Sequence, residues 1–196
     1  MAFSIDGFKN KGLVFGGARP SLFSVFIPKF FGITSAGIEI DHAISEEVSF
    51  LGKATSIPPS IIDYIDIPYM GRKIRVNGDR TFPDWTVTIM NDENFTIRNA
   101  LEDWHQAINS REGNRQRTVN GTGTSGRTLG KVSEYKRDLV VHQYGKTGSP
   151  AKAIASYTFL GAFPTSISPI SLDWDTVNQI EQFDVTFSYD YWEPRE

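Results

Sequence analysis

Apolar and polar residues alternate along several short stretches of this chain, which is the pattern of a β-strand with one buried face. The alternation is most regular in the stretch 181–192. One face of that stretch carries Phe183, Val185, Phe187, Tyr189 and Tyr191, and the other carries Gln182, Asp184, Thr186, Ser188 and Asp190. In the stretch 84–90, Trp85, Val87 and Ile89 alternate with other side chains in the same way. The pattern therefore predicts a sheet-rich protein.

Other stretches rich in β-branched and aromatic residues predict further strands at 21–27, 48–57, 64–70, 73–78, 133–144 and 153–163. The strands at 64–70 and 73–78 are joined near Gly71. The sequence "NGDR" at 77–80 predicts a turn, in which Gly78 can take a positive φ at little cost. The stretch 71–92 is thus highly ordered without containing a catalytic motif, and we expect it to build part of a surface that repeats in an assembly.

One segment has helical periodicity instead. In 94–109, Ile97, Leu101, Trp104 and Ile108 are spaced by four, three and four residues, which places them on one stripe of a helix. Asn91, Asp92 or Asn94 can cap the start of this helix, and Gly113 lies just beyond its end. We expect the four apolar side chains to pack the helix over the sheet.

The remaining segments are rich in glycine and polar residues. Residues 1–17 are predicted to be a flexible N-terminal arm or a segment ordered only by a partner, followed by a single domain at 18–196. Residues 28–47 indicate a long loop or an extended hairpin, and 110–131 indicate a second long loop. The predicted fold class is mainly β: a small β-sandwich or barrel with one flanking α-helix and two long loops.

Composition narrows the range of functions. The chain has 196 residues, a formal net charge of −3 and no cysteine, which excludes disulfides and cysteine-based zinc sites. The charge balance argues against a dedicated nucleic-acid-binding protein. No run approaches the roughly 18 apolar residues of a membrane span, so we expect no membrane anchor. The N-terminal stretch also lacks the continuous apolar region of a secretory signal.

Motifs that would support catalysis are weak. The stretch 123–132 has the wrong spacing for a phosphate-binding loop, and 12–17 lacks the dinucleotide fingerprint. His42, His105 and His142 have no partner at metal-ligand spacing. Adjacent carboxylates at 92–93, 102–103 and 173–175 are typical of helix starts and turns. We therefore predict no catalytic, metal or cofactor-binding residue and no enzyme, although a β-barrel enzyme or small-ligand binder remains an alternative.

Five stretches of the sequence, in order, resemble one family: 18–27, 53–63, 71–104, 133–145 and 161–193. They include "ARPSLFSVFI", "KATSIPPSIID" and "GRKIRVNGDRTFPDWTVTIMND". The resemblance is to the tail tube proteins of T4-like contractile-tailed bacteriophages, and it extends from Ala18 to Glu193. Residues 30–47 are longer than the usual connection in the family, and the arm before Ala18 does not match clearly.

The resemblance implies a structural virion protein that forms homohexameric rings, with adjoining sheets merging into one ring-shaped barrel. The rings would stack into a tail tube that conducts the genome during ejection. The implied partners are other copies of the chain, the tail sheath protein, baseplate and tail terminator proteins, a tape measure protein in the lumen, and DNA that passes without specific binding. The implied location is the virion tail, after assembly in the host cytoplasm. A tube subunit of a type VI secretion or extracellular contractile injection system is the alternative.

Two sets of residues are candidates for contacts within such a tube. The polar face formed by Gln182, Asp184, Thr186, Ser188 and Asp190 lacks lysine and arginine, and it faces either the lumen or ordinary solvent on the outer wall. The two long loops are candidates for contacts with the next ring or with the sheath, through Ile33, Glu39, Asp41, Arg115, Arg117 and Arg127. The second loop is basic, and docking onto an acidic neighbour is as consistent with this as simple solvation; phosphate contact is less so.

Overall fold

The computed structural model describes residues 5, 10, 17–28, 30–33, 39–42, 48, 49, 51–114, 135–146 and 153–195. These residues contain a 13-residue helix, α1 (Thr96–Ile108). They also contain eleven strands: β1 (Phe23–Phe26), β2 (Phe30–Ile33), β3 (Glu39–His42), β4 (Gly52–Thr55), β5 (Ile61–Tyr69), β6 (Arg72–Thr81), β7 (Trp85–Met90), β8 (Arg137–Tyr144), β9 (Ala153–Ile167), β10 (Gln182–Ser188) and β11 (Tyr191–Arg195). The predicted class, mainly β with a flanking helix, is confirmed.

Seven strands form the main sheet, in the order β1-β8-β9-β10-β7-β4, with β11 also pairing with β9. All of these pairs are antiparallel. The long strand β9 joins two parts of the sheet, because its first part pairs with β8 and β11 and its last part pairs with β10. The sheet is not closed into a barrel, and β1 and β4 are its two ends.

The two parts of the sheet enclose one hydrophobic core. Trp85 of β7 stacks on Phe159 of β9, with ring centroids 4.3 Å apart, and Phe187 of β10 lies beside Trp85. The predicted inward face of β7 is confirmed, since Trp85, Val87 and Ile89 are all buried. A core of large aromatic and β-branched side chains holds the two parts rigidly together, because protein interiors pack as densely as organic crystals.

The strand predicted at 181–192 is interrupted, and this corrects the sequence-based assignment. Phe183, Val185, Phe187 and Tyr189 are buried as expected, but Tyr191 is exposed. The chain bends at Asp190, whose N–H donates to the Leu160 carbonyl while its carboxylate binds Lys136 Nζ at 2.6 Å. Pairing with β9 keeps one register across the bend, since Ser188 lies opposite Phe163 and Tyr191 lies opposite Leu160. The run of buried alternate residues therefore ends at Tyr189, at the bend, without a change of register.

Helix α1 lies against β2 and β9. Of the three capping candidates, Asp92 makes the contact: its carboxylate accepts hydrogen bonds from Thr96 N at 3.0 Å and from Thr96 Oγ1 at 2.9 Å. Phe95 precedes the helix in a left-handed conformation. An anion at the first turn also interacts favourably with the helix dipole.

Two local predictions are wrong. Val48, Ser49 and Leu51 have helical backbone, so the strand predicted at 48–57 begins only at Gly52. The turn predicted at 77–80 is absent, since β6 continues to Thr81 and Gly78 has no positive φ. Instead, Gly78 allows the backbone of β6 to approach that of β5 at a bulge. An added β-carbon at Gly78 would lie 3.0 Å from the Asp63 carbonyl oxygen.

The hairpin alternative for residues 28–47 is the one observed, because β2 pairs with β3. The chain reverses between β5 and β6 at Met70 and Gly71, which have φ of 45° and 80°. That reversal agrees with the predicted joint near Gly71.

Candidate assembly surfaces

The hairpin of β5 and β6 is the most unusual part of the structure. Within the part of the chain that the structure describes, its two strands, of nine and ten residues, pair only with each other. Nearly every side chain in it is exposed on both faces. An isolated two-stranded ribbon is marginally stable in water.

One face of the hairpin is apolar. The cross-strand pairs Ile65–Val76 and Ile67–Ile74 lie on it, followed by Tyr69 opposite Arg72. Its five apolar side chains remain 38–60% exposed, although β-branched and aromatic residues are usually buried. We call these five residues the apolar hairpin face: Ile65, Ile67, Tyr69, Ile74 and Val76. A contiguous apolar surface of this kind marks an interaction site.

The other face of the hairpin is charged and already paired within the chain. Asp66 forms ion pairs with Lys73 at 3.3 Å and with Arg75 at 3.4 Å. The Arg75 guanidinium also lies 4.3 Å from the centre of the Tyr64 ring. Exposed pairs of this kind contribute little stability, on the order of 0–1 kcal/mol each. This face is suited to water, which leaves the apolar hairpin face as the surface without a cover.

A second uncovered apolar region is the segment 168–181, which connects β9 to β10. Its large apolar side chains project into solvent, and Trp174 is fully exposed. We call this segment the Trp174 loop; its exposed apolar members are Leu172, Trp174, Val177 and Ile180. Asp173 shapes its turn by accepting a hydrogen bond from Asp175 N at 3.0 Å. The sequence pattern indicates only the carboxylates of this segment, because its apolar side chains follow no helical or strand period.

The predicted polar face of β10 is exposed on the side of the sheet away from α1. Gln182 and Asp184 are exposed, Thr186 and Ser188 are half-buried, and Thr88 Oγ1 of β7 donates to Asp184 at 2.6 Å. The helix packs on the opposite side, where Trp104 contacts Phe187. Lys53 of β4 reaches this polar face and donates to Gln182, so the surface contains one lysine that the strand sequence alone did not indicate. Asp190 lies outside β10, in the break before β11.

The four residues singled out on the helix lie at the core. Ile97, Leu101 and Trp104 are buried, and Ile108 is partly buried and packed against the core. Trp104 Nε1 donates to the Tyr135 carbonyl at 2.9 Å, so its polar atom is satisfied. Helix α1 therefore closes one side of the hydrophobic core. The main sheet, this core and α1 are together called the body.

Only part of the predicted loop surface falls within the described residues. Ile33 ends β2, and Glu39 and Asp41 lie in β3, so all three belong to the β2–β3 hairpin. Arg115, Arg117 and Arg127, like most of the predicted loop 110–131 and most of the N-terminal arm, lie outside the described residues.

The described part of the chain contains no group of three or more His, Cys, Asp or Glu side chains that could hold a metal. Burial lowers the pKa of His105, while a hydrogen bond with the Pro164 backbone and the charge of Glu102 oppose the shift. His105 lines a groove beside the end of α1, together with Arg111 and Thr165. None of the helices in the described residues is long and apolar enough to cross a membrane.

The fold and its uncovered apolar surfaces define a sheet-rich protein that associates with other protein chains. A family model for phage tail tube proteins matches residues 18–194, and the chain therefore belongs to that family. It is 38% identical over 177 residues to the tail tube protein gp19 of Enterobacteria phage T4, covering 90% of this chain and 91% of the relative. It is 27% identical over 145 residues to the tail tube protein of Serratia phage KSP90, covering 74% and 73%.

Solved structures show the same fold at low sequence identity. A chain in the extended sheath–tube complex of an extracellular contractile injection system matches with a TM-score of 0.57 and 14% identity, covering 99% of both chains. A chain in the cap of the anti-feeding prophage matches with a TM-score of 0.58 and 17% identity, covering 91% of both. The resemblance on which the sequence analysis relied is confirmed.

Proposed function

We propose that this protein is a structural subunit of the inner tail tube of a contractile-tailed phage, without catalytic activity. Homohexameric rings stack into a tube, and the tube conducts the genome into the host. Family membership and 38% identity to a phage T4 tail tube protein support this function. The structural observation that carries it is the apolar hairpin face, which needs a second chain to remove it from water.

Ring closure is consistent with the ends of the main sheet. Strands β1 and β4 end the sheet, and within the described residues each pairs with a strand on one side only. Exposed strand edges are sites of pairing with another chain, and closure of a ring removes them. If six subunits each contribute four strands, 24 strands spaced about 4.8 Å apart and tilted about 40° give a barrel roughly 45–50 Å across. Such a bore admits a DNA duplex.

The polar face of β10 is the proposed lumen wall, and its candidate residues are Gln182, Asp184, Thr186 and Ser188, with Asp190 at its end. Two observations support this orientation: the helix covers the opposite side of the sheet, and the face is dominated by small, neutral or acidic side chains. Basic side chains would bind phosphates and slow the passage of DNA. The charge of Asp190 is already compensated by Lys136, which leaves Asp184 as the acidic group of the face.

This orientation can be tested by charge reversal at the face. Asp184→Lys should leave the tubes intact and slow genome ejection, and the slowing should diminish at high salt. Asn99→Lys, on the exposed side of α1, is the control variant and should leave ejection unchanged. A cryo-electron microscopy map of the tube that places Asp184 on the outer wall would contradict the lumen assignment directly.

The remaining partners are proposed by analogy with the related assemblies. The matched chains come from a sheath–tube complex, a cap and a baseplate of contractile injection systems. We propose that this subunit likewise contacts the tail sheath protein, a terminator and the baseplate, with a tape measure protein inside the tube before ejection. The β2–β3 hairpin, with Ile33, Glu39 and Asp41, and the segment containing Arg115, Arg117 and Arg127 are the candidates for these contacts. The subunit would assemble in the host cytoplasm.

A tube subunit of a secretion or injection system is the second candidate, because the matched structures belong to injection systems. The higher identity to phage relatives favours the phage assignment. The neighbouring genes decide between the two. Genes for a capsid and a terminase would indicate a phage, whereas genes for effectors and a dedicated ATPase would indicate a secretion or injection machine.

The proposed function is tested by imaging the purified protein. Negative-stain micrographs, recorded across a range of concentrations, should show rings or tubes of uniform width. Sedimentation velocity on the same samples should show species several times heavier than the 22.0 kDa chain. Monomers at all concentrations, with melting that depends on a small ligand, would instead support the binding-protein alternative.

A further inference from the structure

The two uncovered apolar regions belong to different elements of the same chain. The apolar hairpin face lies on β5 and β6, and the Trp174 loop lies between β9 and β10. Each remains exposed, so neither covers the other within a single subunit. If the two surfaces bind one another between subunits, the contact is head-to-tail, because each copy uses a different patch. Contacts of that kind generate rings or open-ended stacks.

The two surfaces also carry opposite charges. The Trp174 loop contains Asp173 and Asp175 and ends at Glu181, with no lysine or arginine between 168 and 181. The hairpin tip carries Arg72, Lys73 and Arg75 against the single carboxylate of Asp66. Charge complementarity of this kind selects a partner surface and fixes its register.

Arg72 is the cation best placed for such a contact. It lies on the apolar hairpin face, opposite Tyr69, whereas Lys73 and Arg75 point to the other face and already pair with Asp66. Neither Arg72 nor Asp175 takes part in any ion pair among the described residues. Each surface thus presents apolar side chains beside a charge that has no ion-pair partner among the described residues, and the two charges have opposite sign.

We propose that the Trp174 loop of one subunit docks onto the apolar hairpin face of the next copy of this chain. Trp174 packs against Ile67 and Ile74, and Asp175 pairs with Arg72. A fully exposed tryptophan flanked by carboxylates suits the role of an anchor, since tryptophan and arginine dominate the energetics of protein interfaces. This inference rests on the proposed function, because it names the surfaces through which the tube subunits meet.

Covalent capture tests the proposed pairing directly. The chain has no native cysteine, so introduced cysteines react without background. The variant carrying Tyr69→Cys and Thr176→Cys, assembled and then treated with a short bis-maleimide, should give a ladder of covalent oligomers. Each single-cysteine variant can give no species larger than a dimer. The matched control carries Tyr69→Cys with Asn99→Cys on the exposed side of α1, and it should give no ladder.

Charge reversal provides a second test that does not depend on cysteine reactivity. Arg72→Glu and Asp175→Arg should each raise the concentration needed for assembly by about five- to tenfold, as expected for an interfacial charge pair. The double variant should recover most of the loss, since the pair is restored in reverse. Lys146→Glu, an exposed charge outside both surfaces, should have no effect.

The outcomes separate this inference from the function on which it rests. Normal tubes without a ladder, together with additive losses in the double charge variant, would overturn the docking of these two surfaces and leave the tail tube function intact. Absence of rings and tubes from the wild-type protein would overturn both. A ladder together with charge rescue would establish the contact.

Discussion

The body of this protein and the β5–β6 hairpin contain the same kinds of apolar residue. These residues are buried in the body and exposed in the hairpin. In the body, Trp85, Val87 and Ile89 alternate along β7 and are all buried. In the hairpin, Ile65 and Ile67 alternate along β5 and both remain largely exposed. The hydrophobic driving force is the same in both regions. The difference is that the body covers its own apolar residues, whereas those of the hairpin face stay exposed in the single subunit.

This contrast suggests that the body determines folding stability, whereas the hairpin and the Trp174 loop determine association. The body is a rigid unit, because its aromatic side chains interlock between the two parts of the sheet and α1 closes one side. The hairpin and the Trp174 loop contribute little to that core, so substitutions there should change association more than folding. Variants that change folding and association by different amounts can test this division.

Removal of Trp104 should have the largest effect on the body. This side chain is fully buried, contacts Phe187 and donates to the Tyr135 carbonyl. Trp104→Ala should lower the free energy of unfolding by about 3–5 kcal/mol, measured by chemical denaturation of the unassembled subunit. Met70→Ala, at the exposed hairpin turn, is the control and should change stability by less than about 0.5 kcal/mol. Equal losses in both variants would contradict the division between body and hairpin.

A charge on the apolar hairpin face should produce the reverse result. Ile67→Asp should weaken association by about 2–3 kcal/mol, because one buried isoleucine is lost from the interface and a carboxylate takes its place. The unfolding of the isolated subunit should change little, since Ile67 is largely exposed there. Light scattering during assembly, with denaturation of the monomer in parallel, measures both quantities. Normal tube formation by this variant would show that the hairpin face is not an interface.

Sequence alone predicted the body better than the hairpin. The stripe of Ile97, Leu101 and Trp104 and the alternation of β7 depend on burial within one chain, and periodicity reports that directly. The same periodicity predicted a β5–β6 pair but did not indicate that both of its faces are exposed. An alternating strand shows which side is apolar without showing whether the cover belongs to its own chain or to a neighbour.

Local geometry accounts for the remaining errors. The sequence predicts a turn at Gly78 because glycine favours positive φ. In the structure, glycine is needed there because it has no side chain, which lets the backbone at the bulge near Asp63 approach closely. Alternation extended through Asp190 predicts a buried Tyr191, but the chain bends at Asp190 and Tyr191 is exposed. The Trp174 loop was missed because its apolar residues have no period. The bulge at Gly78 and the contacts of Asp190 depend on residues that are distant in sequence.

Gly161 tests the join between the two parts of the sheet. It has a φ of 65°, and an added β-carbon would collide with the Asp190 carboxylate. Gly161→Ala should cost about 1–3 kcal/mol of body stability, since both the backbone and the contact become strained. Gly71→Ala is the matched control. Gly71 has a φ of 80°, but nothing lies within 4 Å of an added β-carbon, so this substitution strains only the backbone, and it does so in the hairpin. A loss at Gly71 as large as that at Gly161 would show that the contact with Asp190 contributes nothing.

The smallest effect is expected from protonation of His105. This residue lies in the body, so its protonation should change the stability of the body and not that of the hairpin. Burial lowers the pKa of His105 below its ordinary value of 6.5, so the unfolded chain binds a proton at this residue more readily than the folded one. Stability from this group is therefore fully present above pH 6.5 and declines as the pH falls from 6.5 toward the lower pKa of the folded state. Denaturation of the unassembled subunit between pH 7.5 and pH 5.5 should show this decline, and His105→Gln should reduce its slope. The same slope in both proteins would mean that His105 is as free to take up a proton in the folded body as in the unfolded chain, and that this end of α1 is less tightly closed than the packing of Trp104 indicates.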